Sequence, residues 1–242
     1  MVRLSTLTIV ALITLLRALA VAQSNAGEAT ALNSIIEALE KAQATVRLEN
    51  SYQVIREYQL HGTNESTSNS DVIVELNVRP PVSEEYRIQS SSGSKRGEQV
   101  VRRVLEHELQ AASSLHHDRT ALNRDNYDFT YDGEAMVDGQ ACYVLGLRPK
   151  RREPDLMSGK AWIDTHSFLV RQLDGDIAKS PSWWLKKVHV KLTFAEVSGT
   201  WLQTRMEAIA EVRVVGSHTL TSRILDYRGS AQVASASSAH HR

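Results

Sequence analysis

The sequence lacks most of the features that identify a function directly. It has one cysteine, Cys142, among 242 residues, so an internal disulfide is excluded and the hydrophobic core must hold the fold together. It has no basic excess, with 28 Lys and Arg against 28 Asp and Glu. A nucleic-acid binder usually carries such an excess, because phosphate neutralisation supplies most of its affinity. Nucleic acid is therefore not an expected partner.

Catalytic and metal-binding motifs are also missing. The sequence contains no G-x-S-x-G nucleophile elbow, glycine-rich phosphate loop or zinc-binding cysteine pairs. His107-Glu108 begins like a zinc-protease helix, but Ala111 stands where the second histidine is required. His116-His117-Asp118 has no evident third ligand and is interpreted as a solvated loop. We predict no catalytic residues, metal or cofactor; a hydrolase assembled from distant residues is the least favoured alternative.

The N-terminal apolar run is too short to span a bilayer. It extends from Leu7 to Leu16, follows Arg3, and precedes the small residues Ala20-Val21-Ala22. A spanning helix needs about 20 apolar residues, so residues 1–22 are predicted to be a signal peptide cleaved after Ala22, with an uncleaved anchor as the alternative. No lipobox cysteine follows. We expect an exported, periplasmic protein that is soluble after cleavage.

Two segments have the periodicity of amphipathic helices. In the first, Leu32, Ile35, Ile36 and Leu39 recur on one side. In the second, Glu98 to Ala112, apolar residues including Val101, Val104 and Leu105 share one helical face. Each helix therefore has an apolar stripe to bury.

The rest of the chain alternates between apolar and polar residues, as strands do. Three early strands are predicted at Tyr52–Leu60, Val72–Val78 and Glu85–Ser90. From Tyr127 to Arg228 the alternating runs are separated by turn sequences: Asp132-Gly133, Asp138-Gly139, Pro149 to Ser158, Asp164-Thr165-His166, Asp174-Gly175, Ser198-Gly199 and Gly216-Ser217.

These elements predict an α+β, mainly β fold in which about nine to eleven antiparallel strands form a curved sheet with both helices on one face. A single domain is expected over residues 23–230, followed by a disordered tail over 231–242. Helices and curved sheet can enclose a cavity between them.

Three local features bear on function. Cys142 is interpreted as a small buried hydrophobe in a strand. Because adjacent strand residues face opposite sides, one indole of Trp183-Trp184 is predicted to point away from the core, where it would cover an edge, line an opening or contact a partner. The basic run Arg148 to Arg152 could steer an anionic headgroup, although a solvated loop also explains it.

Four runs form a recurring pattern of an Asp-Gly hairpin, a Tyr-x-Leu strand, a Gly-x-x-x-x-Asp strand and an aliphatic-Arg strand. They are Asn126–Phe129, Val137–Leu145, Gly159–Asp164 and Phe168–Arg171. In this pattern the chain resembles the LolA/LolB-like superfamily of bacterial exported proteins, the outer-membrane lipoprotein-sorting proteins.

The resemblance implies a half-open β-barrel covered on its concave face by the helices, with a hydrophobic cavity for acyl chains of a lipid or lipoprotein. It also implies an arginine beneath the helical lid; Arg56 and Arg87 lie in predicted strands, but the sequence does not match either to that position. Some relatives of the same fold sense envelope stress by binding a membrane protein.

We therefore predict a periplasmic carrier or binder of lipid or lipoprotein acyl chains. Its partners would be a lipid or an acylated protein. Strand and helix alternation gives nine candidate cavity residues: Val74, Leu76, Ile88, Val104, Leu105, Tyr143, Leu145, Leu192 and Phe194. The alternative is an envelope protein-interaction or stress-sensor module that binds a membrane protein through an exposed edge or through Trp183-Trp184.

Overall fold

The computed structural model describes residues 29–45, 51–63, 69–79, 83–112, 119–214 and 216–229. Residues 29–45 lie in helix α1, and Lys95–Ala112 form helix α2. No helix in these ranges is long and apolar enough to cross a membrane. The predicted signal peptide, the His116-His117-Asp118 sequence and the predicted tail lie outside the described residues.

Ten strands occur within the described ranges. They are β1 (Tyr52–Gly62), β2 (Ser70–Arg79), β3 (Ser83–Gly93), β4 (Tyr127–Val137), β5 (Gln140–Pro149), β6 (Met157–Asp164), β7 (Val170–Ile177), β8 (Leu185–Val197), β9 (Thr200–Val212) and β10 (Gly216–Gly229).

The strands form one antiparallel sheet in the order β3-β2-β1-β10-β9-β8-β7-β6-β5-β4. Strands that follow one another in sequence are neighbours throughout, except that the chain leaves one edge after β3 and enters the other edge at β4. Helix α2 lies within this long connection. The predicted mainly β architecture, with a wide antiparallel sheet and two helices, is confirmed.

Both helices pack on the same face of the sheet. Directly opposed residues of antiparallel strands share a face, and one such row crosses five strands: Leu145, Ala161, Leu173, Leu192 and Met206. Leu145 and Ala161 are buried in one cluster with Ile35 and Leu39 of α1, which we call the α1 cluster. Met206 is buried in another cluster with Val101 and Leu105 of α2, which we call the α2 cluster. The helices therefore cover different parts of one sheet face.

Three predicted turns are wrong, because their glycines lie in strands; the third is Gly216-Ser217, which forms the start of β10, where Gly216 pairs with Val212. Asp132-Gly133 falls within β4 where the register with β5 shifts, and Gly133 has a φ of 97°, which indicates a β-bulge. Asp174-Gly175 falls within β7, where Gly175 is opposite Gly159. A Cβ on Gly175 would lie 2.4 Å from the carbonyl oxygen of Ser158, so the glycine permits close approach of two strands.

The turn prediction is confirmed at Asp138-Gly139 and Ser198-Gly199. The φ angles are 49° and 78° at Asp138 and Gly139, and 50° and 81° at Ser198 and Gly199. A two-residue type I′ hairpin turn requires such positive φ angles at both residues. The strand prediction for Trp183 is wrong, since β8 begins only at Leu185. The hydroxyl of Ser180 donates to the carbonyl oxygens of Ser182 and Leu185 at 3.0 and 2.7 Å, and this holds the preceding segment in a turn.

Candidate functional site

The apolar face beneath the helices contains most of the predicted cavity residues. Val74 and Leu105 are buried in the α2 cluster, and Leu76, Ile88, Val104 and Leu192 pack against it. Leu145 is buried in the α1 cluster, with Tyr143 packed against it. Phe194 belongs to neither cluster; it is half-buried where the register of β8 against β9 shifts.

The two clusters meet at strand β8. Val190 packs against the α1 cluster, whereas Leu192 packs against the α2 cluster. The neighbours of Val190 on the same face are Gly175 of β7 and Ala208 of β9, and Val188 is opposite Ala210. These five residues, which we call the β7–β9 strip, have small or short side chains. Gly175 is buried, and the other four are partly buried.

A buried polar cluster lies under α2. The hydroxyl of the fully buried Tyr58 donates to Oε2 of Glu108 on α2 at 2.9 Å. Arg56, two residues earlier in β1 and only 7% exposed, donates from Nη2 to the carbonyl oxygen of Gln203 at 2.6 Å. Burial raises the pKa of the Glu108 carboxyl, an effect that the positive charge of Arg56 and the Tyr58 hydrogen bond oppose. Burial and the adjacent Glu108 raise the pKa of Tyr58.

Three donors of this region have no hydrogen-bond partner among the described residues. They are Nε of Arg56, Nε2 of Gln203 and the hydroxyl of Ser222, all buried. Arg56 and Gln203 lie in β1 and β9, on either side of β10. The Arg56 side chain therefore extends across β10, the strand that contains Ser222, to make this hydrogen bond. Buried donors without acceptors are costly, and such a group can bind an acceptor oxygen from water or from a ligand.

The sequence pointed to only one member of this cluster. Arg56 shares its strand face with the buried residues Val54, Tyr58 and Leu60, and a charged residue in an apolar alternation is the signal that could have found it. Arg56 is thus a buried arginine close to Glu108 of α2. Arg87 is exposed and pairs with Glu75 at 3.0 Å.

The helix-free face has a different character. A depression of about 430 Å³ there is lined mainly by polar side chains, among them Glu57, Lys191, Arg205 and Glu207. Arg223 donates from Nε to the Glu57 carboxylate across β10 and β1. These residues alternate along their strands with the apolar residues under the helices, so they lie on the opposite face of the sheet. Because its lining is polar, this depression is not a site for acyl chains.

The remaining predicted features are structural or exposed. Cys142 is fully buried in β5 as a free thiol whose pKa is raised by burial, which confirms its interpretation as a buried strand residue. In the basic run, Arg148 pairs with Asp128, and Arg151 pairs with Glu153. Trp183 is 84% exposed and Trp184 is half-buried, so one indole does point away from the core.

The described residues contain no group of three or more His, Cys, Asp or Glu side chains that could hold a metal ion. Sequence comparison found no matching family model and no characterised relative.

Comparison with solved structures found similar folds. A DUF1329 family protein from Desulfovibrio piger has a TM-score of 0.41 at 15% identity, covering 81% of this chain and 92% of that one. A domain described as an outer membrane lipoprotein-sorting protein from Vibrio parahaemolyticus has a TM-score of 0.42 at 13% identity, and the match covers 80% of this chain and 91% of that one. A LolA superfamily protein from Nitrosomonas europaea has a TM-score of 0.35 at 13% identity, and the match covers 81% of this chain and 92% of that one. Proteins of the expected superfamily are thus among the structural neighbours.

Proposed function

We propose that the protein is an exported carrier or binder of an amphiphile whose acyl chains lie on the helix-covered face of the sheet. The observation that supports this function is the β7–β9 strip. It is an apolar floor of small residues between two separately packed helices, and it remains partly exposed among the described residues. The proposal places the helices over the concave face of a half-open barrel.

The energetics of such a site need no catalytic or specific polar group. Burial of each methylene contributes about 0.8 kcal/mol, so one long acyl chain can supply micromolar affinity. The strip would act as the floor, and the predicted cavity residues that keep some exposed surface would act as walls: Leu76, Ile88, Val104, Tyr143, Leu192 and Phe194.

The donors under α2 would hold the polar end of the same molecule. Gln203 lies in β9, the outer strand of the strip, and Ser222 and Arg56 lie one and two strands beyond it, in β10 and β1. A carbonyl, carboxylate or phosphate oxygen would supply the missing acceptor for their buried donors. An acyl ester or amide next to an apolar chain has this combination of groups, as lipids and acylated proteins do.

Native mass spectrometry of the protein purified gently from a bacterial periplasm tests the proposal. We expect near-stoichiometric lipid or acylated peptide on the wild type, released by organic extraction. Ala208→Phe fills the strip and should lower this occupancy about tenfold or more, because the acyl chain loses buried contact area. Glu207→Phe is the matched control, since Glu207 is the preceding residue and faces the opposite side.

Thermal melting shows that both variants are folded. If the wild type is free of ligand and gains none from added lipid, or if both variants behave alike, the acyl-chain site is wrong. The same fold would then favour the alternative function, an envelope module that binds another protein.

A further inference from the structure

Two loop tips at one end of the sheet form an exposed apolar patch. Trp183, in the β7–β8 connection, is 84% exposed, and Val214, in the β9–β10 turn, is fully exposed. Arg213 joins the two tips. Its Nε donates to the carbonyl oxygen of Trp183 at 2.9 Å, and its backbone N–H donates to that of Trp184 at 2.8 Å. We call Trp183, Arg213 and Val214 the Trp183 tip.

The backbone holds this patch outward at a cost. Val214 has a φ of 79°, a conformation that a β-branched residue rarely adopts. Its side chain does not gain burial in return, since it is fully exposed. Strained, exposed apolar residues of this kind indicate a binding surface.

Basic residues flank the tip in sequence and in space. The sequence has no Asp or Glu between Asp176 and Glu196, whereas that segment contains Lys179, Lys186 and Lys187. Lys187 pairs with Asp176 at 3.0 Å, but Lys179 and Lys186 are exposed. On the far side, Arg152 reaches the same connection, with Nε 3.5 Å from the carbonyl oxygen of Ala178. The acids of these segments are Glu211, two residues before Arg213, and Glu153 and Asp155, which follow Arg152; Glu153 pairs with Arg119 and Arg151, and Asp155 lies 3.2 Å from His107.

We propose that the Trp183 tip is a peripheral docking site for a bilayer that contains anionic lipid. Trp183 and Val214 enter the headgroup region, while the surrounding lysines and arginines contact lipid phosphates. Tryptophan prefers this interface because its ring is apolar and its N–H is polar. Basic residues near an anionic surface add attraction that salt screens.

A membrane fits this surface better than a protein does. A standard protein interface buries roughly 800 Å² per partner around an apolar centre. The tip instead offers two projecting apolar side chains flanked by basic residues. This docking site does not depend on the acyl-chain site, which lies on the helix-covered face of the sheet.

Flotation with lipid vesicles tests the docking site. The protein should lack residues 1–22, because the predicted signal sequence would itself bind lipid. We expect binding to equimolar phosphatidylcholine and phosphatidylglycerol, weaker binding to phosphatidylcholine alone, and a loss at about 1 M salt, where charges are screened beyond roughly 3 Å. Trp183→Ser and Val214→Ser should each weaken binding, the first about tenfold or more. Trp183→Phe should retain most of it.

Met136→Ser is the matched control, because Met136 is 67% exposed at the opposite end of the sheet. It should bind vesicles as the wild type does. Binding by Trp183→Ser equal to the wild type, or equal loss in Met136→Ser, would overturn the docking site. Ligand occupancy by native mass spectrometry should stay unchanged in Trp183→Ser, which separates this result from failure of the carrier function.

Discussion

At the scale of single residues, the Glu108 carboxyl of helix α2 makes the stability of the fold depend on pH. Its carboxylate accepts from the buried Tyr58 hydroxyl, near Arg56, and burial raises its pKa above the ordinary value of 4.5. The folded state therefore holds the proton more tightly than the unfolded chain does. This stabilisation is complete below pH 4.5 and is lost as the pH rises through the raised pKa.

We expect Glu108→Gln to remove this part of the pH dependence. The wild type should lose up to about 1.4 kcal/mol of unfolding free energy per pH unit within that window, and the variant should not. Urea unfolding at a series of pH values above 4.5 measures the difference. Glu106→Gln is the control, since Glu106 is exposed on the same helix. If Glu108→Gln and Glu106→Gln give the same slope as the wild type, Glu108 is not the titrating group.

At the scale of elements, the pairing of β6 with β7 depends on two facing glycines. A Cβ on Gly175 would lie 2.4 Å from Ser158 O and 2.8 Å from Gly159 Cα, which is backbone that cannot rotate away. Gly175→Ala should therefore force the strands apart and lower the unfolding free energy by about 1–3 kcal/mol. For a domain of this size the Tm should fall by about 2–4 °C for each kcal/mol.

Gly229→Ala provides the comparison for that variant. A Cβ at Gly229 would meet its nearest neighbour, the Tyr227 ring, at 3.9 Å, an ordinary contact. Its Tm should remain within a degree or two of the wild type, which thermal melting followed by circular dichroism will show. Equal shifts in the two variants would mean that the close approach of β6 and β7 is not rigid.

The same strands show what the sequence could and could not predict. Alternation located β8 and β9 well, because most of their apolar residues recur at every second position on the helix-covered face. The Asp-Gly pairs were ambiguous, since Asp138-Gly139 forms a tight turn whereas Asp174-Gly175 lies in a strand. Both need glycine, one for positive φ and the other for close approach, and a sequence does not distinguish these reasons.

The candidate site was predictable only on its apolar side. Leucine and valine positions follow from periodicity, and eight of the nine lie in the helix-covered clusters. Partners such as Gln203 and Ser222 depend on β1 and β9 flanking β10. β1 and β9 are far apart in the sequence. Polar residues such as Gln203 and Ser222 occur in the same alternating pattern as polar residues that face solvent, so the pattern does not reveal them.

At the scale of the whole molecule, the sheet carries two helices that do not share a core. The α1 cluster draws its strand residues from β4, β5 and β6, and the α2 cluster from β1, β2, β9 and β10. The two clusters have no buried residue in common. We therefore expect each helix to open without the other, and either opening to widen access to the β7–β9 strip between them.

Hydrogen exchange measured by mass spectrometry tests this independence. Leu39→Ala and Leu105→Ala each remove a fully buried leucine from one cluster, a loss of about 2–5 kcal/mol. For openings limited to one helix, a loss of 2 kcal/mol corresponds to a roughly 30-fold faster exchange. We expect Leu39→Ala to accelerate residues 29–45 alone and Leu105→Ala to accelerate residues 95–112 alone. Similar acceleration of both helices by either substitution would mean that they open as a single lid, so that access to the strip requires both to move together.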